Sequence, residues 1–174
     1  MVAVSQSLPF ADVLDDNSLP LKVGGGDINL LAGDHRVAIV RISAPRFQAL
    51  CVSIHGKDRD HRADAIKAHW KQVGDQIESC RRPDDNIICG VDGNCRIGLR
   101  NDSRDPLIGP QLDPEHRHDF VSEAFVSFAR RFDLVVIATF PDLLSGGAGG
   151  TLYNKFGMAL RCDYVLVSRN CLAL

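Results

Sequence analysis

The chain has 174 residues, of which 45% are hydrophobic and 24% are charged. This composition is typical of a soluble globular protein, and the length fits one domain with a buried core. The formal net charge of −2 excludes a general attraction to nucleic acid or to a membrane surface, so binding to a polyanion would depend on local patches. No apolar segment is long enough to cross a bilayer and the N-terminus lacks a signal-peptide pattern. We therefore expect an intracellular protein, in the cytoplasm or nucleus, without a membrane partner.

Residues 1–34 carry several breakers of regular structure, among them Pro9, Pro20 and the three glycines at 24–26. No Lys-Ser or Lys-Thr pair follows these glycines, which excludes a phosphate-binding P-loop. We expect a poorly organised N-terminal segment over 1–34. The pattern becomes regular from His35 onward, and residues 35–174 are expected to form the domain.

Two apolar runs rich in β-forming residues, over 37–42 and 47–54, are separated by a short link that suits a hairpin. Apolar residues at helical spacing predict an amphipathic helix over 63–79, with Trp70 in its buried stripe rather than at a ligand. The remaining apolar patterns predict strands over 86–91, 134–138 and 161–168 and a second helix over 121–132. Two helices are too few to cover the connections of an all-parallel sheet. We therefore predict a layered α/β fold of the α+β type, in which helices flank a mixed or antiparallel sheet.

The stretch 87–98, IICGVDGNCRIG, combines a buried strand with a glycine-rich turn that carries Asp92 and Asn94. An aspartate at a strand end supplies a base or a hard oxygen ligand, and an asparagine forms hydrogen bonds without adding a second negative charge beside an anionic substrate. From the pattern alone, an Asx turn is favoured, in which both side chains bond to their own backbone. Both interpretations stay open from these residues alone.

Two further polar residues lie at strand ends. His55 ends the second predicted strand, where it is either a functional imidazole or an ordinary surface-loop histidine. Asp163 lies near the start of the last predicted strand, where a carboxylate is unusual and needs a hydrogen-bond donor or a cation if it is buried. The sequence thus places a second acidic group at a strand terminus.

For the other residues that could bind a metal, structural interpretations are favoured. The six cysteines contain no C-x-x-C pair, and three of them lie in apolar runs, so buried free thiols are favoured over a zinc site or a disulfide framework. His116 and His118 allow a metal site, but no cysteine or third histidine lies nearby and an exposed loop is favoured.

Taken in order, these pieces resemble the endonuclease/exonuclease/phosphatase family, the metal-dependent phosphodiesterases that include deoxyribonuclease I, abasic-site endonucleases and the endonuclease domains of non-LTR retrotransposons. Within this family, the sequence resembles the retrotransposon-type endonuclease domains most. The resemblance covers residues 36–170. Its elements are a strand ending at His55, a helix with Trp70, a GDFNARxG-like motif at 90–98 (GVDGNCRIG), a helix, a strand ending at Thr139-Phe140, a glycine turn at 145–150 and an R-x-D-Y-x-L-V-S strand at 161–168.

The resemblance implies a deoxyribonuclease I-like four-layer sandwich and a role for each candidate residue. Asp92 would orient or deprotonate the attacking water, and Asn94 would hold that water or a phosphate oxygen. His55 would donate a hydrogen bond to the scissile phosphate, and Asp163 would pair with a histidine at the same phosphate. The implied cofactor is Mg²⁺, and the implied partner is nucleic acid or another phosphodiester substrate.

The sequence also departs from the family. Residues 1–35 contain no Glu, although the family places a metal-binding Glu in its first half, and the chain stops at Leu174 before the expected Ser-Asp-His motif. We therefore expect a partial domain whose metal ligands are unknown and whose activity is weak or absent. The alternative is a non-catalytic α/β fragment, such as a decayed mobile-element product or a binding module. An α/β hydrolase is not favoured because no G-x-S-x-G motif occurs.

Overall fold

The computed structural model describes residues 25–44, 47–99, 105–110, 112–140, 152–153 and 159–172. The described residues form two α-helices and ten β-strands. The strands, in chain order, are β1 (Ile28–Gly33), β2 (Val37–Ala44), β3 (Phe47–His55), β4 (Asn86–Asp92), β5 (Gly98–Leu99), β6 (Asp113–Arg117), β7 (Leu134–Val136), β8 (Leu152–Tyr153), β9 (Ala159–Leu160) and β10 (Asp163–Ser168). The helices are α1 (Ala63–Cys80) and α2 (Phe120–Arg131).

Six of the strands form one sheet in the order β1-β2-β3-β4-β10-β7. The pair β3–β4 is parallel, and the other neighbouring pairs of this sheet are antiparallel. The parallel pair is joined through α1, because two parallel neighbours need a long crossover, whereas β2 and β3 form a hairpin. The predicted mixed sheet with flanking helices is confirmed.

Both helices cover the same face of this sheet. Trp70 on α1 is 4% exposed, and its ring centroid lies 5.5 Å from that of Phe125 and 5.0 Å from that of Phe128 on α2. Phe125 in turn lies 5.0 Å from the ring of Tyr164 on β10, so the aromatic cluster joins both helices to the sheet. Trp70 is a core residue, as the helical spacing predicted.

Alternate residues of the strands point to the other face. On β10, Tyr164 and Leu166 are buried under the helices, whereas Val165 between them is 49% exposed. This alternation follows from the two-residue period of a strand. The described residues thus form one main sheet layer and one helical layer. Neither described helix is long and apolar enough to cross a membrane.

A buried ion pair lies at the end of the sheet where β4 begins. Arg41 Nη2 on β2 lies 2.7 Å from Asp85 Oδ2, and the two side chains are 8% and 1% exposed. Arg41 also donates to the carbonyl of Cys80 at the end of α1, and Asp85 accepts a hydrogen bond from the backbone N–H of Arg82. Burial raises the pKa of Asp85, but the hydrogen bond from Arg41 and the backbone donor outweigh burial and hold it below its usual value. This cluster ties β2 to the turn between α1 and β4.

Two predicted boundaries differ from the structure. The predicted poorly organised segment over 1–34 includes β1, so the prediction is wrong for residues 28–33, which pair along β2 through a register shift. The strand predicted over 134–138 ends at Val136, because residues 137–139 form a 3₁₀ turn. Thr139 Oγ1 donates to the carbonyl of Val136 and accepts from the N–H of Gly109, which fixes that turn. Residues 1–24, the link residues 45–46 and the glycine turn at 145–150 lie outside the described residues.

Candidate functional site

The register of three neighbouring strands brings His55, Asp92 and Asp163 side by side. His55 at the end of β3 pairs with Asp92 at the end of β4, and Asp92 pairs with Asp163 at the start of β10. Neighbouring strands lie about 4.8 Å apart, so the row spans roughly 10 Å. Residues directly opposite each other project from the same side of a sheet. Three candidates distant in sequence therefore meet at one end of the sheet.

The imidazole and carboxylate in this row are accessible from solvent. His55 Nε2 lies 4.0 Å from Asp92 Oδ2, and the two side chains are 54% and 44% exposed. This separation is too long for a direct hydrogen bond. The two groups therefore face a common space in which each could contact the same ligand.

The Asp92–Asn94 turn combines the two interpretations that the sequence left open. Asp92 Oδ1 accepts a hydrogen bond from the backbone N–H of Asn94 over 3.1 Å, as in an Asx turn. Asn94 has a φ of 47°, in the left-handed region that asparagine tolerates better than most residues. The Asx turn uses one carboxylate oxygen of Asp92, and Oδ2 still faces His55. The turn and a role in chemistry are thus compatible.

Asn94 itself does not bond to its own backbone through its side chain. Its Nδ2 donates to the carbonyl of Gly56 over 2.9 Å, which links the turn after β4 to the residue after His55. Asn94 therefore positions the end of β3 in this structure. Its predicted role in holding water or a phosphate oxygen stays a prediction.

Gly56 is the residue that lets these two turns approach each other. Its N–H donates to the carbonyl of Asp92 over 2.7 Å. A Cβ atom at this position would lie 2.9 Å from the carbonyl oxygen of Gly93 and 3.1 Å from that of Asp92. Only glycine fits this contact without a backbone shift.

Arg36, immediately before β2, fixes the same turn from the other side. Its Nη1 donates to the carbonyl of Gly56 over 3.1 Å and to that of His55 over 3.4 Å. The N–H of His55 donates to the carbonyl of Arg36 over 2.8 Å, so the two residues are neighbours across the hairpin. The Arg36 guanidinium thus holds the backbone at the end of β3, where His55 lies. Sequence reasoning did not identify Arg36 as a candidate.

Tyr164 in the R-x-D-Y motif has a structural role. Its hydroxyl donates to the carbonyl of Arg161 over 2.9 Å and accepts from the N–H of Ile97 over 3.2 Å. Burial raises the pKa of this phenol, so it stays protonated. The hydroxyl therefore connects the segment after the Asp92–Asn94 turn to the start of β10, next to Asp163.

The thiols near the row are not nucleophiles. Burial raises the pKa of both Cys95 and Cys162, which keeps them as neutral thiols. The nearby carboxylates of Asp163 and Asp92 raise the pKa of the Cys162 thiol further, against a smaller opposing effect of Arg96 and Arg59.

The other predicted candidates have structural partners or no metal-binding geometry. His118 Nε2 lies 2.8 Å from Glu123 Oε2 on α2, so the side chain anchors the start of that helix. All six cysteines are free thiols. Within the described residues, no group of three His, Cys, Asp or Glu side chains could hold a metal ion. Asp92 and Asp163 supply two suitable carboxylates, but the described side chains do not form a magnesium site by themselves.

No protein-family profile matches the sequence, and no curated protein is detectably similar to it. Among solved structures, the chain is similar to the endonuclease domain of TRAS1, a telomere-specific non-LTR retrotransposon, at 15% identity and a TM-score of 0.49, over 83% of this chain and 57% of that one. An AP endonuclease from Archaeoglobus fulgidus is 10% identical with a TM-score of 0.49, over 83% of this chain and 58% of that one. An endonuclease/exonuclease/phosphatase family protein from Bacteroides thetaiotaomicron is 14% identical with a TM-score of 0.49, over 83% of this chain and 52% of that one.

The chain thus spans little more than half the length of these structures. At identities of 10–15%, the similarity to these structures is a similarity of fold alone. The structural neighbours are endonuclease/exonuclease/phosphatase proteins, and the resemblance predicted from the sequence is confirmed at the level of the fold.

Proposed function

We propose that this chain carries one half of the active site of a phosphodiester hydrolase that acts on nucleic acid. The observation that carries the proposal is the row of His55, Asp92 and Asp163, which three independent strands hold at one end of the sheet. A hydrolase needs a base, a hydrogen-bond donor and a fixed distance between them. The row supplies all three in an accessible position.

In this proposal Asp92 and His55 contact the reacting groups, and Asn94 and Arg36 position them. Asp92 Oδ2 accepts a proton from a water molecule as the water oxygen forms a bond to phosphorus, and the bond from phosphorus to the leaving oxygen breaks. His55 donates a hydrogen bond to the phosphate, where it stabilises the charge that develops on the oxygens. Asn94 and Arg36 hold the Gly56 carbonyl, so they keep His55 at its distance from Asp92. The proton that the leaving oxygen needs comes from solvent.

The test uses this chain joined to the upstream and downstream segments of a full-length domain of the family. We expect this longer protein to cleave plasmid DNA in the presence of Mg²⁺, and the 174-residue chain to cleave weakly because its described residues do not form a metal site. Asp92→Asn should lower the cleavage rate by about 10²–10⁴, the range for a lost general base. The control is Asp84→Asn, the same change at an exposed position before β4, which should leave the rate unchanged. Cleavage that survives Asp92→Asn would refute the role of the row.

A non-catalytic binding module is the second candidate. It is favoured by the lack of any three-ligand metal group within the described part of the chain. On this alternative the longer protein binds oligonucleotides but shows no cleavage that depends on Asp92. The two candidates therefore differ in one measurement, the rate with and without the Asp92 carboxylate.

A further inference from the structure

The face of the main sheet that is turned away from the helices carries an apolar stripe. One residue from each of the six strands contributes to it, and neighbours along the stripe lie directly opposite each other in the strand register. The stripe runs in the order Leu30, Val40, Cys51, Ile88, Val167 and Val135. Directly paired residues project from the same side of a sheet. None of the six belongs to the core cluster that the helices bury, so the stripe lies on the opposite face.

Part of this face is open to solvent. Leu30, at one end of the stripe, is 72% exposed. In the next row toward His55, Ser53 pairs with Gly90 and Gly90 pairs with Val165, which is 49% exposed. Leu30 and Val165 are two of the four large apolar side chains that are exposed on the described part of the chain. An apolar sheet face is normally buried against a second layer, and an exposed apolar patch marks an interaction surface.

The shape of this face is complementary to itself. A Cβ atom at Gly90 would meet nothing within 4 Å, so the glycine leaves a depression in the surface. Val165 projects beside this depression on the neighbouring strand. A two-fold rotation can place the Val165 side chain of a second copy over Gly90, and the reverse contact forms at the same time. A ridge beside a depression therefore fits a second copy of the same surface.

The size of the face is sufficient for a weak dimer. The six strands span five spacings of about 4.8 Å, or roughly 24 Å, and the seven residues of β4 extend over about 20 Å. A face of these dimensions covers about 500 Å² per copy and about 1,000 Å² in a dimer, the lower limit for a specific interface. The stripe contains no charged side chain, so packing two such faces together buries no unpaired charge there.

We propose that this face is the interface of a symmetric homodimer, in which two copies of the chain pack their sheets face to face. Two sheets packed in this way lie about 10 Å apart with nearly aligned strands. Asp92 and Asp163 continue the same face at its end, and their charges would repel those of a second copy at that distance. The two copies therefore place their rows at opposite ends of the interface, where each row stays open. The dimer does not depend on the proposed hydrolysis.

The test is sedimentation velocity of the 174-residue chain at about 1–500 μM, the range in which an interface of this size associates. We expect the mass to rise from 19.0 kDa to twice that value as the concentration increases. Val165→Glu should weaken dimerisation at least about tenfold, because it buries a charge without a partner. The control is Phe120→Glu, which introduces the same charge at a 44% exposed residue on α2 and should have no effect.

A second variant, Gly90→Leu, separates a specific fit from general adhesion. Leucine fills the depression and should weaken the dimer, whereas it would strengthen an association that depends on apolar surface alone. Far-UV circular dichroism and the fluorescence of Trp70 show whether each variant is folded. A chain that stays monomeric over this range, full dimerisation of Val165→Glu or tighter association of Gly90→Leu would each overturn the proposal. Asp92→Asn should leave the affinity unchanged, and a gain of about tenfold would overturn the placement of the rows at opposite ends.

Discussion

The closest backbone contact in the candidate site predicts that Gly56→Ala will destabilise the protein, whereas the matched change Gly90→Ala will not. A Cβ at position 56 would lie 2.9 Å from the carbonyl oxygen of Gly93, 3.1 Å from that of Asp92 and 3.2 Å from the Gly93 carbonyl carbon. All three are backbone atoms, so no side-chain rotation relieves the overlap. At Gly90, on the same strand as Asp92, a Cβ meets nothing within 4 Å.

The expected magnitude follows from these contacts. Forcing one extra carbon into a packed site costs about 1–3 kcal/mol. Moving the backbone apart also stretches the hydrogen bonds from Gly56 N–H to Asp92 and from Asn94 Nδ2 to Gly56, which are 2.7 and 2.9 Å long. Each such bond contributes about 1 kcal/mol and is weakened rather than lost, so we expect Gly56→Ala to cost about 2–4 kcal/mol in all. Gly90→Ala should be neutral or stabilise the protein by up to about 1 kcal/mol, because alanine restricts the unfolded chain.

The assay is urea unfolding followed by the fluorescence of the single tryptophan, Trp70, which is buried between the helices. The free energy of unfolding should fall with urea concentration at the same slope in wild type, Gly56→Ala and Gly90→Ala, which would show that their unfolded states are comparable. The ring signals of His55 should shift in Gly56→Ala and not in Gly90→Ala, since only the first change moves the end of β3. A free energy of unfolding for Gly56→Ala within about 0.5 kcal/mol of wild type, the range of ordinary surface changes, would refute the reasoning.

Two further predictions concern stability. Asp85→Ala should lower the free energy of unfolding, measured by urea unfolding, by about 3–5 kcal/mol, because it leaves the Arg41 guanidinium buried without its carboxylate. The control, Asp75→Ala at a half-exposed ion pair, should lower it by less than about 1 kcal/mol. Burial, with the charges of Arg36 and Lys57, lowers the pKa of His69 from 6.5 to about 4. The unfolded chain therefore binds the extra proton between these values, and stability is lost as the pH falls from about 6.5 toward 4. A shift of this size corresponds to at most about 3 kcal/mol, so the loss relative to His69→Gln should be about 1–3 kcal/mol. Equal pH profiles for the two proteins would contradict it.

Much of the sheet could be predicted because its strands are apolar on the face that the helices bury. The central strands and both helices match the predicted ranges closely, since burial imposes period two on strands and period 3.6 on helices. β1 could not be predicted in this way. Its burial pattern contains no buried residue and Leu30 is 72% exposed, so the strand is held by pairing with β2 rather than by an apolar stripe.

Some residues of the candidate site could also be predicted from the sequence, and others could not. His55, Asp92 and Asp163 were identifiable because each breaks an apolar strand pattern at its end. Arg36 was not, because its role depends on register: the hairpin closes with Ala44 opposite Phe47, which brings Arg36 beside His55. A change of one residue in that turn would place another side chain there. The role of Gly56 in the contact with the Asp92–Asn94 turn could not be predicted either, because a close approach between two turns leaves no pattern in the sequence of either turn.

The geometry of the site indicates that the Gly56 carbonyl, rather than the side chain of His55 or Asp92, couples the three strands. It accepts hydrogen bonds from Arg36 beside β2 and from Asn94 after β4, and it belongs to the residue that follows His55 on β3. A shift of either donor therefore moves the imidazole relative to Asp92. Catalysis depends on such distances, because a displacement of about 1 Å costs roughly 10²-fold in rate.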